Sequence, residues 1–186
     1  MSRPVEVPTE MATDDPRRRA FEAELDKALD RASDTLKPLF DTAYSALSDE
    51  EVESLHEIMF RLGGARQILI NRECTQEQVD ENYREAKARR PSAGPFTLNE
   101  GVRRSFDTRL DKALDKAAGA LRPLFDMAYA VLSAQEIETL HEIMHKLGGA
   151  RQILIHRDYT QQQVDEHYRD ARARRLDLAT WAKSPR

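Results

Sequence analysis

The chain has 186 residues, of which 33% are charged and 40% hydrophobic, and its formal net charge is −4 at pH 7. This balance is typical of a globular helical protein, and it excludes the strong positive field that draws a protein to nucleic acid or to an anionic membrane. One cysteine, Cys74, excludes an internal disulfide framework, and no stretch is apolar enough for a signal peptide or a bilayer span, so we expect a cytoplasmic protein without a membrane partner.

The chain begins with a segment that contains two prolines and no hydrophobic periodicity, so we predict a disordered tail over residues 1–15. Apolar residues then recur at three- and four-residue steps, which indicates one face of a helix. Asp15 is placed to cap this helix, and Pro16 suits its first position. Pro38 lies inside the pattern, and the sequence leaves open whether it kinks one helix or separates two. Pro123 raises the same question later in the chain.

A sharper helix start follows at Ser48, which stands three residues before Glu51 as in a capping box. The helix that it opens has a regular apolar face. Gly63 and Gly64 then interrupt the pattern, at a cost of about 1 kcal/mol each if they lie inside a helix. They either end the helix in a left-handed conformation or let another helix approach closely. The sequence does not decide between these alternatives.

A second capping box, formed by Thr75 and Gln78, opens a mostly polar helix that we expect to bury little beyond Val79 and Tyr83. Two prolines and a glycine follow this helix within five residues. Such residues end any helix, so we predict a linker over residues 91–104.

The rest of the chain repeats what has come before. With Phe21 aligned to Phe106, about 46 of the 70 positions through Arg90 and Arg175 are identical without a gap. We therefore predict an all-α protein, a tandem duplication of a three-to-four-helix unit packed as a pseudo-two-fold helical bundle. The predicted segments are repeat 1 over 16–90, repeat 2 over 105–175 and a C-terminal tail over 176–186.

We expect the repeats to bury equivalent faces of their central helices against each other, because one unit alone has a thin core. The predicted interface residues are Leu55, Met59, Leu62, Gly63, Leu140, Met144, Leu147 and Gly148. Arg66 and Arg151 follow the glycines and offer a fork of donors to an anion. The interpretation that we favour is an ion pair between each arginine and an acid of the other repeat.

One short motif has the spacing of a zinc site. His141-Glu142-Ile143-Met144-His145 fits H-E-x-x-H, which places two histidines on one face of a helix. The third ligand position of the longer pattern holds Arg151, and the first repeat has Phe60 where the second has His145. We therefore interpret the motif as accidental and predict no catalysis, while keeping His141 and His145 as candidate ligands for zinc or another divalent metal.

The stretch from Leu121 through Leu132-Ser133 to Leu147 resembles the C-terminal helices of MarR-type repressors, and Leu36–Leu62 is similar. In that family these helices build the dimer interface. The resemblance therefore implies a dimerisation module. The winged helix that reads DNA in that family has no counterpart in the pattern, so no DNA-contacting residue carries over.

These observations favour a non-enzymatic helical module for protein–protein interaction or dimerisation, with regulation as one role. Its partner would be another protein or a second copy of itself. The alternative is a helical bundle that binds a metal or small ligand through His141 and His145. A further alternative is nucleic-acid binding through basic helix ends. We consider this unlikely because cations at a helix C-terminus are already favoured by the helix dipole.

Overall fold

The computed structural model describes residues 15–92 and 94–182, with side chains through residue 176, and every regular element in them is helical. The prediction of an all-α protein is confirmed. The first half, residues 16–90, has four α-helices, and the second half, residues 100–182, repeats their order. They are α1 (Pro16–Leu36), α2 (Phe40–Ala46), α3 (Asp49–Arg66), α4 (Gln76–Arg89), α5 (Glu100–Leu121), α6 (Phe125–Val131), α7 (Ala134–Ala150) and α8 (Gln161–Ala182).

The predicted helix starts are confirmed by their hydrogen bonds. The Asp15 side chain accepts from the backbone of Arg17, 2.8 Å away, at the start of α1. Capping boxes formed by Ser48, Thr75 and Ser133 open α3, α4 and α7, each with both reciprocal bonds in place. These caps satisfy backbone N–H groups that a helix start would otherwise leave without partners.

Pro38 and Pro123 separate two helices. Each lies in a 3₁₀ turn, Lys37–Leu39 or Arg122–Leu124, which joins a long helix to a short one. The backbone stays in the right-handed helical region through the turn. The hydrophobic periodicity therefore crosses the proline, although its missing N–H interrupts the α-helical ladder.

Helix α5 begins within the predicted linker and α8 extends into the predicted C-terminal tail, and the predicted N-terminal tail lies almost wholly outside the described residues. The linker is shorter than 91–104 because Asn99 caps α5, accepting from two backbone N–H groups at 3.1 Å. The segment 176–186 is not simply a tail, since α8 continues to Ala182. No proline or glycine lies between Arg175 and Ala182, so nothing in that stretch stops the helix. The predicted disorder over 1–15 falls outside the structure except for Asp15, the N-cap of α1.

One hydrophobic core serves both halves. The long first helices α1 and α5 make the most extensive contact in the molecule, and α3 packs on α7. Phe21 and Phe106 are completely buried where these layers meet. The predicted interface leucines and methionines all belong to this core: Leu55, Leu62, Leu140 and Leu147 are buried, and Met59 and Met144 are partly buried.

The close helix approach occurs one residue later than we predicted. Gly63 and Gly148 are exposed, and a Cβ there would meet nothing within 4 Å. A Cβ on Gly64 would lie 2.6 Å from Val79 of α4, and Gly149 has the same relation to Val164 of α8 at 2.4 Å. The glycines thus admit a second helix, and they do not end α3 or α7.

Past the glycines, each central helix widens into a short π-helical segment, Gln67–Asn71 in the first half and Arg151–His156 in the second. Each segment stops at an arginine in the left-handed conformation, with φ of 57° at Arg72 and 58° at Arg157. These turns lead the chain back so that α4 and α8 run along the surface of α3 and α7.

Candidate functional site

Two buried arginines tie the halves together. The Arg18 guanidinium donates to Glu136 at 2.9 Å and to the Leu69 carbonyl at 3.1 Å. Arg103 donates to Glu51 at 3.0 Å and to the Leu154 carbonyl at 2.6 Å. Each arginine therefore reaches the capping-box glutamate of the other half and a carbonyl of its own half. Both residues precede the apolar periodicity that starts at Phe21 and Phe106, so the pattern gave no reason to choose them.

A second set of contacts crosses between α3 and α7. We call the side chains of Glu57, Arg61, Asp80, Glu142, Lys146 and Asp165 the polar cluster. Lys146 Nζ lies 2.9 Å from Glu57 and 2.7 Å from Asp165. Arg61 pairs with Asp80 and lies 3.5 Å from Glu142. The polar cluster thus joins charges of both halves in alternation across the helix crossing.

The two equivalent glutamates of the polar cluster have different surroundings. Glu57 meets the Lys146 ammonium at 2.9 Å, whereas Glu142 meets only the longer 3.5 Å contact with Arg61. Burial raises the pKa of Glu142, and the positive charges of Arg61 and Lys146 only partly offset this effect. Burial alone would lower the pKa of Lys146, but Glu57 and Asp165 outweigh it and raise that pKa.

Beside the polar cluster, α2, α3, α4, the linker and Gln161 of α8 line an open cleft of about 700 Å³, which we call cleft 1. Its lining includes the rings of Tyr44 and Tyr83, the apolar Val52 and Pro91, and the charged Asp49, Glu50, Glu53, Lys87 and Arg90. This volume lies within the range of small-ligand and peptide pockets.

A tyrosine–histidine pair marks the outer edge of cleft 1. Tyr44 Oη and His56 Nε2 share a hydrogen bond at 2.9 Å, and the imidazole also packs against Phe40 with a ring separation of 4.9 Å. Burial lowers the pKa of His56, and the nearby Arg90 lowers it further, against an opposing effect of Glu53. A neutral imidazole therefore holds the tyrosine hydroxyl at neutral pH.

The inner wall of cleft 1 is fixed by a second tyrosine. Tyr83 Oη donates to Glu53 at 2.7 Å, and Arg90 pairs with the same carboxylate at 3.0 Å. The Arg90 guanidinium also lies over the Tyr83 ring, 5.9 Å from its centre. Burial raises the pKa of Tyr83, as does its hydrogen bond to Glu53, so this hydroxyl stays protonated.

The second half has an equivalent tyrosine–histidine pair and an equivalent arginine–glutamate pair beside a smaller cleft of about 310 Å³, cleft 2. Its lining consists of Tyr129, Leu132, Ala134, Ile137, Glu138, His141, Arg175 and Leu176. Tyr129 Oη and His141 Nε2 share a hydrogen bond at 2.8 Å. Arg175 binds Glu138 through two contacts of 2.8 Å. Burial lowers the pKa of His141, and Arg175 lowers it further.

The last helices of the two halves end differently beside the clefts. After Arg89, Pro91 takes the chain away from α4, and Ser92 donates to Asp49 at 2.7 Å on the rim of cleft 1. At the position equivalent to Pro91 the second half has Leu176, which continues α8 and lines cleft 2. A proline thus follows the end of α4 at cleft 1, whereas a leucine continues α8 along cleft 2.

In the structure, the two predicted metal ligands form hydrogen bonds with different partners. His141 bonds to Tyr129, whereas His145 donates to the carbonyl of Val164 at 2.9 Å. Glu142 between them belongs to the polar cluster. Among the described residues, no group of three or more histidine, cysteine, aspartate or glutamate side chains is arranged to hold a metal. Metal binding by these histidines stays a prediction.

The arginines beyond the glycines form ion pairs, but within their own halves. Arg66 pairs with Asp26 at 2.7 Å and with Asp30 at 2.6 Å, and Arg151 pairs with Asp111 at 2.8 Å. The expected acid of the other half is absent from these pairs because α1 and α5 each pass beside the π-helical segment of their own half.

The basic end of α4 is largely neutralised by neighbouring acids. Arg84 pairs with Glu81 at 2.6 Å, Arg89 with Glu85 at 3.0 Å, and Arg90 with Glu53. Ion pairs of this kind reduce the positive charge that a helix end could offer to phosphate.

The tyrosines of the clefts were not among the predicted site residues. Both lie off the apolar face of a short helix, so periodicity gave no reason to choose them. They could have been found as aromatic residues that are identical in the two halves although they lie outside the apolar pattern. Tyr44 and Tyr129 occupy equivalent positions and are 52% and 59% exposed, in a chain with only 6% aromatic residues.

This geometry suits binding. Each cleft combines an aromatic wall, a fixed hydroxyl and charged rim groups, the mixture found where proteins recognise other molecules. Within the described residues, no helix has the length and apolarity needed to cross a membrane. No family model, curated protein or solved structure matches the chain.

Proposed function

We propose that the protein is a fused pair of equivalent units, related by a pseudo-two-fold axis, that works as a non-enzymatic protein–protein interaction module. The sequence identity of the halves supports the fusion. So do the reciprocal contacts of Arg18 with Glu136 and Arg103 with Glu51. When each half reaches the equivalent residue of the other, the contacts have the form of a two-fold interface.

The observation that carries the interaction role is the exposure of Tyr44 and Tyr129 beside clefts 1 and 2. A tyrosine contributes a large contact area at low cost in side-chain entropy, and its hydroxyl adds direction, so exposed tyrosines next to a cleft are typical of binding surfaces. Here His56 and His141 fix each hydroxyl before any partner arrives. This preorganisation reduces the entropy lost on binding.

Two clefts on one rigid core give the module two docking sites. A partner with two suitable segments would gain affinity by engaging both, because the second contact forms within one complex. The resemblance to the dimerisation helices of MarR-type repressors favours the same role. Within the part of the chain that the structure describes there is no strand to form the wing of such a repressor, so we propose a regulatory role through protein contacts.

The test is affinity capture from the native cell with matched tyrosine variants of the full chain. We expect wild-type protein and Tyr159→Ala, altered at an exposed tyrosine outside the clefts, to recover the same partner. The double variant Tyr44→Ala/Tyr129→Ala should lose it while keeping the wild-type melting temperature. Recovery of that partner in equal yield by all three proteins would overturn the proposal.

A further inference from the structure

The segment that joins the two halves is exposed and has few contacts. Residues 94–99, which we call the connecting segment, belong to no helix, and all of them are exposed. Residues 95–98 form no hydrogen bond or ion pair with the described part of the chain. Two large apolar side chains in this segment, Phe96 and Leu98, are 38% and 44% exposed, and neither belongs to the core.

An exposed segment of this kind has the properties of a protease substrate. Proteases cut exposed loops in preference to helices, because a helix must first unfold locally before it can enter the active site. Many of them select the residue before the cut bond through a specificity pocket, and a hydrophobic pocket accepts large apolar side chains. Phe96 and Leu98 offer two bonds of this type within three residues.

The turn before α8 provides a comparison within the same chain. Tyr159 in this turn is 36% exposed and also lies outside the helices. Hydrogen bonds hold the turn on both sides of Tyr159, since Asp158 N donates to Gln152 O at 3.1 Å and Thr160 N donates to Gln163 at 2.9 Å. This turn must therefore open before a protease can bind it, whereas the connecting segment needs no such step.

A cut in the connecting segment would leave the contacts between the halves in place. The packing of α1 on α5 and of α3 on α7 does not involve this segment, and neither do the contacts of Arg18 with Glu136 and of Arg103 with Glu51. Asn99, which caps α5, would stay attached to its helix. The new carboxylate and ammonium would form at exposed positions, so their charges would not have to be buried.

We propose that the peptide bonds after Phe96 and Leu98 are a cleavage site for endoproteases with an apolar specificity pocket, and that the cut chain persists as two paired fragments. Hydrolysis breaks the peptide C–N bond, adds the hydroxyl of water to the carbonyl carbon and gives the remaining proton to the departing amine. The shared core is the kind of interface found in permanent complexes, and it holds the fragments together without the covalent link.

The test of the cleavage site is limited digestion of the folded full chain with chymotrypsin as the probe. We expect the first cut within residues 15–176 to fall after Phe96 or Leu98, about tenfold faster than after Tyr159, as measured by mass spectrometry of the fragments. Phe96→Ser/Leu98→Ser should slow this cut by about tenfold, because the serines do not fill an apolar pocket. The matched control Tyr159→Ser should leave its rate unchanged.

The test of the pairing is sedimentation of the purified cut protein. We expect one species with the mass of the intact chain in buffer, and two smaller species in about 6 M urea. In the cut protein, Arg103→Met should raise the Kd of the two fragments by about tenfold, because it removes contacts that cross between the halves. Arg104→Met, at the exposed neighbouring position, should leave this Kd unchanged.

A first cut after Tyr159 or inside a helix would overturn the cleavage site, as would an unchanged rate in Phe96→Ser/Leu98→Ser. Fragments that separate in buffer would overturn their pairing. The inference rests on the pairing of the halves proposed above and not on the clefts. Capture of a partner by the intact chain depends on neither result, so the docking role of the clefts is tested separately.

Discussion

The first and second halves of this chain share their helices, their caps and their buried contacts, but they differ at the clefts. In each half, a buried arginine contacts the capping-box glutamate of the other half. In each half, the last helix also packs closely on the second of two adjacent glycines in the central helix. Cleft 1 is about 700 Å³ and is lined by Asp49 and Glu50, whose equivalents in the second half are Ala134 and Gln135, and cleft 2 is about 310 Å³. The arginine contacts that join the halves thus match, while the cleft linings differ. Pairs of equivalent variants test this comparison directly.

The largest effect is expected at the arginines that join the halves. Arg103 is 3% exposed and Arg18 is 8% exposed, and each satisfies a carboxylate and carbonyls that would otherwise lie unpaired. We expect Arg103→Met to lower the free energy of unfolding by about 2–4 kcal/mol, and Arg18→Met by somewhat less. Urea denaturation measures both. Arg104→Met, at an exposed neighbouring position, should change little; an equal loss in that control would contradict the account.

Adjacent glycines should respond in opposite directions. Gly64→Ala places a methyl group 2.6 Å from Val79 and should cost about 1–3 kcal/mol, because the β-branched side chain and α4 must shift. Gly63→Ala meets no atom within 4 Å and should stabilise the helix by about 0.5–1 kcal/mol. Thermal melting compares them, and the same signs are expected at Gly149 and Gly148. Similar losses at both positions of a pair would show that the helix crossing lies elsewhere.

The polar cluster predicts an asymmetry between equivalent glutamates. Glu57→Gln removes the charge that Lys146 meets at 2.9 Å and should cost about 1–3 kcal/mol. Glu142→Gln removes a charge that burial already disfavours, so stability at neutral pH should stay within about 1 kcal/mol of wild type or rise. Chemical denaturation at pH 7 gives both values. A larger loss for Glu142→Gln would reverse the assignment.

The smallest effect is a dependence on pH. Burial lowers the pKa of His56 and His141 below the usual 6.5, so protonation favours the unfolded chain. Their stabilising contribution is present above about pH 6.5 and is lost as the pH falls through the lower folded pKa. His56→Gln/His141→Gln should therefore lose less stability than wild type between about pH 7.5 and about pH 5. Melting curves across this range test it, and parallel curves would contradict it.

Local sequence signals predicted much of this fold. Features that depend on contacts between distant residues were not predicted. Helix starts at Asp15, Ser48 and Thr75 follow from side chains that reach only two or three residues along the chain. Which of two adjacent glycines faces another helix depends on the path of α4, which the sequence does not encode locally. Basic residues near Arg175 are typical of a helix terminus, but α8 continues to Ala182.

The candidate site was harder to predict than the fold. Tyr44 and His56 lie on different helices and meet only when α2 packs on α3. The predicted metal motif contains His141 and His145, but their ring nitrogens form hydrogen bonds with separate partners. Comparing the halves for residues that are identical yet outside the apolar pattern would have singled out Tyr44 and Tyr129 from the sequence.

Photo-crosslinking in the native cell shows whether both clefts are docking sites. A photoreactive phenylalanine analogue would replace Tyr44, Tyr129 or, as a control, Tyr159, which is exposed but lies outside the clefts. We expect defined crosslinked products at positions 44 and 129 and none at 159. Crosslinks that are absent from both cleft positions, or equally abundant at 159, would contradict it.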